Sequence, residues 1–182
     1  MSRPDPSPKS PDSEELLLRK RARALAAPEV RGRDVTQAGE ILVVAVGQAR
    51  YAMPLRLLSA VVPLTRLTRL PGAPRTVAGL AQVHGNTVTV VHLGELLEQP
   101  AGAPRAAVLI ERAGETLALG VSGYEGVEPA WKDQLQPMPG NVPSRARRYL
   151  EGVGPGGVAR LDLERLLEDL LSGEEPGPGS GS

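Results

Sequence analysis

The sequence contains no cysteine and no phenylalanine, and its aromatic content is one Trp and three Tyr in 182 residues. Without cysteine there are no disulfides, no thiolate metal sites and no cysteine nucleophile, a composition that fits a reducing compartment. With so few rings, any core must be filled by Val, Leu, Ile and Ala. Formal charge is balanced at 21 basic and 21 acidic side chains. This removes a whole-chain electrostatic drive toward nucleic acid or an anionic membrane surface. No apolar run approaches the roughly 18 residues that a membrane span requires. Met1–Pro11 is rich in Pro and Ser and lacks the apolar centre of a secretory signal, so the expected location is cytoplasmic.

Apolar residues make up 41% of the chain, as in a globular protein. Residues 1–11 have almost nothing to bury and are expected to be a disordered tail. Asp12-Ser13-Glu14-Glu15 then forms a helix-start signal, with a polar cap and acids at the positive end of the dipole. The helix is expected over 12–27, with Leu18, Ala22 and Leu25 as a narrow apolar stripe and Arg19, Lys20, Arg21 and Arg23 on a solvated face. Residues 28–39 are expected to be a linker, 40–171 the folded domain and 172–182 a Gly/Pro/Ser tail.

Within 40–171 the pattern is of short β segments separated by turn signals. Glu40–Val46 and Arg50–Met53 form a hairpin across Gly47-Gln48-Ala49, and Leu55–Ser59 a helical turn. Val61–Arg69 is expected as a strand, with Val62, Leu64 and Leu67 or Leu70 facing the core. Val77–Val83 and Thr87–Leu93 pair across His84-Gly85-Asn86, and β-branched residues dominate the second segment. Gly94–Leu97 is a short helical turn. Ala106–Glu111 and Glu115–Val121 pair across Ala113-Gly114, and Val127 ends a further extended segment. Arg148–Val153 and Val158–Leu161 form a fourth hairpin. Asp162 caps a last helix, Leu163–Leu171, whose apolar face is Leu163, Leu166, Leu167, Leu170 and Leu171. Many short strands imply a mainly β sandwich or barrel arrangement. Two hairpins lie before the Gln99–Pro104 loop and two after it, which suggests two similar lobes divided there.

Residues that might carry chemistry are few. His84 and His92 are eight apart, and a metal or hydrolase reading would need both, but no third ligand is defined. Ser59, Ser122 and Ser144 lack a nucleophile-elbow setting. Gly152–Gly157 is followed by a strand rather than a helix, so it is a turn and not a phosphate loop. Arg66, Arg69, Arg75 and Arg105, and separately Arg145, Arg147 and Arg148, form small basic sets. The aromatics needed for base stacking are missing, which leaves nucleic acid out. No catalytic residue, cofactor or metal is expected.

The order of these pieces resembles the CheW-like family of chemotaxis adaptors, over about Ile41 to Leu171. The likeness is carried by Leu42–Gly47 with Tyr51-Ala52-Met53-Pro54-Leu55, by Leu58–Val62, and by Pro71-x-x-Pro74 followed by Val77–Gly85. It continues through Val88–Leu93, Leu119–Val127, Tyr149–Val153 and Leu161–Leu167. The Asn-Leu-Arg-Gly of the family reads Gln82-Val83-His84-Gly85 here. Thr89 and His92 replace a proline and an aspartate, Ala60 an acid and Ser122 an aspartate.

The resemblance implies a CheW-like fold of two SH3-like five-stranded β-barrel lobes. It also implies a non-catalytic adaptor that links the cytoplasmic tip of a chemoreceptor to the regulatory domain of a CheA-type histidine kinase. By matching position, Leu58, Val61, Val83, His84, Gly85 and Val121 are the candidate partner-binding residues. The replacement of arginine by His84 removes a permanent forked cation. It leaves a second reading, a divergent subunit that binds one partner, or a different one, and insulates or caps an array. A third, from another class, is a small β-barrel hydrolase or metal protein using His84 and His92.

Overall fold

The computed structural model describes residues 39–131 and 134–173. The expected tail 1–11, helix 12–27 and most of the linker and C-terminal tail lie outside the described residues. Ten strands are present: β1 Glu40–Val46, β2 Ala49–Pro54, β3 Ala60–Pro63, β4 Val77–Val83, β5 Asn86–His92, β6 Ala106–Arg112, β7 Glu115–Val121, β8 Gly123–Pro129, β9 Leu150–Val153 and β10 Ala159–Leu161. Among the described residues three α-helices accompany them: α1 Leu93–Leu96, α2 Ser144–Arg147 and α3 Leu163–Ser172. The strands form two five-stranded sheets, ordered β8-β1-β2-β10-β9 (lobe 1) and β3-β6-β7-β5-β4 (lobe 2).

The lobes are not divided at the Gln99–Pro104 loop. Lobe 2 is one continuous stretch, β3 to β7, inserted between β2 and β8 of lobe 1. Each sheet has three antiparallel pairings and one parallel pairing, in the same positions. The parallel pairs, β2 with β10 and β5 with β7, join segments distant in sequence and override the hairpin-by-hairpin order. Placed on one another, the sheets share a strand arrangement but not a starting point. Lobe 1 is a circular permutation of lobe 2, and its termini fall where α1 joins β5 to β6.

The permutation brings α1 and α3 into correspondence, since each follows the parallel-paired strand. Their sequences also correspond: His92-Leu93-x-x-Leu96-Leu97 and Asp162-Leu163-x-x-Leu166-Leu167. In both, the first residue caps the helix, accepting from the backbone N–H three residues on. All six leucines are buried in one cluster. This cluster also takes Leu42, Val44 and Val46 of β1 and Val108, Ile110, Leu119 and Val121 of lobe 2, so the lobes share a core. The alternate residues of β1, Ile41 and Val43, face a second cluster with Ala52 and Val158. Ala107, Leu109 and Ala118 turn into a third, inside lobe 2. β1 is therefore buried on both faces, which explains its continuous apolar run.

Three local expectations are corrected. The strand expected over Val61–Arg69 stops at Pro63. β3 is an edge strand, and after Pro63 its pairing ends in one further hydrogen bond, from Leu64 N–H to the Arg105 carbonyl at 2.8 Å. The chain returns only at Thr68, which exchanges two 2.8 Å hydrogen bonds with Leu80. Leu67 packs on the lobe 2 cluster, whereas Leu70 is 41% exposed. The hairpin expected from Arg148 begins at Leu150, because Ser144–Arg147 is a helical turn closed by Tyr149 N–H to the Ala146 carbonyl. The last helix extends to Ser172 and stops at Gly173 in the left-handed region, and Leu171 lies off the buried face.

Candidate partner-binding site

The six candidate residues fall in two places. Val83, His84 and Gly85 lie at the tip of the β4–β5 hairpin, where a two-residue turn has positive φ at both His84 (49°) and Gly85 (84°). Two-residue turns of this kind match the twist of paired strands, and glycine suits the second position. Val83 is 7% exposed and anchors the tip in lobe 2, while His84 and Gly85 are exposed. Leu58, Val61 and Val121 belong to the shared core. Val61 and Val121 are inside it, at 3% and 1% exposure, and Leu58 is half-buried against it. The accessible candidates are therefore His84, Gly85 and part of Leu58. Val61 and Val121 set the shape beneath them.

The departures from the family pattern have structural uses. Gln82 Nε2 donates to Thr87 Oγ1 across the hairpin at 3.1 Å. His92 is the last residue of β5 and also caps α1. Its Nδ1 accepts from the Glu95 N–H at 3.3 Å, and its Nε2 lies 3.1 Å from the Gly102 carbonyl. One neutral tautomer, with the proton on Nε2, satisfies both contacts. Ser122 Oγ accepts from the Gly47 N–H at 2.9 Å, and its own N–H donates to Ala45. A side chain at Gly47 would collide with the Pro100 carbonyl. The β1–β2 turn of lobe 1 is thus fitted against the loop after α1 of lobe 2.

The metal or hydrolase reading is overturned by placement. His84 and His92 lie at opposite ends of β5, and seven residues at about 3.3 Å each separate them by roughly 20 Å. Among the described residues no group of three or more His, Asp or Glu is placed to hold a metal ion.

The basic set near α2 is largely engaged. Arg147 donates to the Pro139 carbonyl at 2.7 Å, and Arg148 pairs with Asp169 at 3.3 Å. The same carboxylate accepts from the Tyr149 hydroxyl at 2.9 Å. Burial, and then the hydrogen bond to Asp169, raise the Tyr149 phenol above its usual range. Burial alone pushes the Tyr51 phenol up to about 12.

A groove of about 440 Å³ opens on lobe 2, between the segment Leu67–Ala78 and the loop Ala101–Pro104. His92 and Glu95 line it, and Arg69 and Arg75 stand on its rim. The sequence offered a signal for this surface in Arg69 and Arg75, but not the backbone path that brings Ala101–Pro104 opposite them.

Comparison with known proteins agrees with the architecture. The solved structure of the scaffolding protein TtCheW from Thermoanaerobacter tengcongensis superposes with a TM-score of 0.56 at 18% identity, covering 69% of this chain and 88% of that one. At that identity the likeness speaks for the fold. A search of curated proteins returned no match. The sequence model of the CheW-like domain matches residues 40–171, which takes in all ten strands and nearly all of α3. The chain belongs to the CheW-like domain family.

Proposed function

We propose that this protein is a non-catalytic adaptor of chemosensory signalling, holding a chemoreceptor tip and the regulatory domain of a histidine kinase by protein–protein contacts. The observation that carries this reading is the CheW-like match across the whole two-lobed domain. The exposed β4–β5 tip is the natural contact point, because its rigid turn presents His84 and Gly85 above an anchored Val83. No helix among the described residues is long and apolar enough to cross a membrane.

A specific observation favours the divergent form, in which the partner set is altered. Gln82, His92 and Ser122 occupy family motif positions, yet each is engaged in a contact within the domain. His84 lies exposed at the tip of the hairpin, and it carries a shorter side chain than arginine. The test is co-purification of the full chain with its native partners, read by mass spectrometry, for the native protein and for His84→Arg. Recovery of both a chemoreceptor and a histidine kinase by the native chain supports the coupling form. Gain of one of them only in His84→Arg supports the altered form. Recovery of neither by either protein would overturn the adaptor reading.

A further inference from the structure

We infer that the groove on lobe 2 is the seat of this chain's own N-terminal segment, with Asp12, Glu14 and Glu15 against Arg69 and Arg75 and Leu18 against Leu67 and Leu70. Among the described residues neither arginine takes part in an ion pair, and both are exposed. Between them lie apolar groups that are not fully covered, with Leu70 at 41% exposure and Leu67 and Ala101 half-buried. Glu95 is the one acid lining the groove among the described residues, and it is half-buried in the first turn of α1. A ligand that fits carries acids followed closely by aliphatic side chains.

Two terminal segments of the chain lie outside the described residues, and they differ in this respect. Residues 174–182 carry Glu174 and Glu175 but no aliphatic side chain beyond proline. The N-terminal segment contains Asp12-Ser13-Glu14-Glu15-Leu16-Leu17-Leu18, which is acids followed by leucines. Distance does not prevent docking. With the expected helix to residue 27 and an extended chain beyond it, the residues between Leu18 and Gly39 still span up to about 50 Å, and a domain of this size has a radius of gyration of only about 14 Å. Tethering makes the encounter intramolecular, at an effective concentration in the millimolar range. A partner that uses the same groove must displace the segment, so docking would act as a built-in cap on that surface. The inference is independent of which partners the β4–β5 tip takes.

The chain has no native cysteine, so Ser13→Cys in the full-length protein takes a single nitroxide label. Paramagnetic broadening of backbone amides reports where the labelled segment sits. Docking predicts broadening at Ala73, Val77 and Ala101, its loss in Arg69→Glu/Arg75→Glu, and its return when Asp12, Glu14 and Glu15 are also changed to arginine. Both rim arginines are exposed, and unchanged amide dispersion elsewhere verifies that the variants fold. Broadening that is absent, spread evenly over the surface, or insensitive to Arg69→Glu/Arg75→Glu would refute the inference. So would broadening seen only between chains, when isotope-labelled and spin-labelled proteins are mixed, since that result assigns the groove to a second copy.

Discussion

Gly79→Ala tests how the long β3–β4 connection is tied to lobe 2. Gly79 has φ of 144°, a region that side chains avoid, and an added Cβ would fall 2.3 Å from the Thr68 carbonyl oxygen. That carbonyl accepts one of the two 2.8 Å hydrogen bonds of the Thr68–Leu80 bridge. Backbone strain at such a position costs about 1–3 kcal/mol. Losing both bridge bonds adds about 0.5–1.5 kcal/mol each. The gain from a less flexible unfolded chain offsets about 0.4–1 kcal/mol. The expected net loss is thus about 1–6 kcal/mol, a substantial part of a typical stability of about 5–15 kcal/mol. Urea unfolding followed by circular dichroism measures the total, and amide exchange at Thr68 and Leu80 locates it. If the connection detaches locally, both amides exchange quickly while the unfolding midpoint falls only modestly. A variant within about 0.5 kcal/mol of the native protein, with both amides still protected, would show that the bridge does not hold this segment.

Three further outcomes follow from the same contacts. His92→Ala removes a helix cap and a link to Gly102, so it should cost about 1–2 kcal/mol, against about 1 kcal/mol for the corresponding cap in Asp162→Ala. Denaturant unfolding of the two variants gives the comparison, and a His92→Ala protein of native stability would reject the capping role. Tyr51 and Tyr149 both have raised phenols, so the fold favours their neutral forms. That contribution is complete below pH 10 and is lost as pH rises, for Tyr51 between 10 and about 12. Two pKa units correspond to at most about 2.7 kcal/mol. Tyr51→Phe should therefore move alkaline unfolding, followed by circular dichroism, to higher pH, and an unmoved midpoint would contradict a buried, neutral Tyr51. Arg56→Ala removes the exposed pair with Glu164 and should change stability by less than about 1 kcal/mol, so a larger loss by denaturant unfolding would place that pair in the load of the α3 packing.

Local order was legible in the sequence wherever neighbouring residues decide it. Two positive-φ turns, His84-Gly85 and Ala113-Gly114, separate runs of β-forming residues. Asp162 before a leucine-rich stretch marked the last helix. The matching signal at His92-Leu93-x-x-Leu96-Leu97 was also present. It does not stand out as a cap, because histidine is not among the usual capping residues and the helix it starts has only four residues.

A cysteine-free, aliphatic, mainly β domain, its hairpins, and the order of motifs that places it with CheW-like proteins are all legible in the linear chain. Those properties depend on composition and on side-chain period over a few residues. Tertiary structure alone decided that lobe 2 is inserted into lobe 1, because the β2–β10 pairing joins residues more than a hundred positions apart. It likewise decided that His84 and His92 part company along β5, that Val61 and Val121 lie in the shared core, and that Arg69 and Arg75 overlook a groove. Each of these depends on which distant surfaces meet, and neither local propensity nor spacing specifies that.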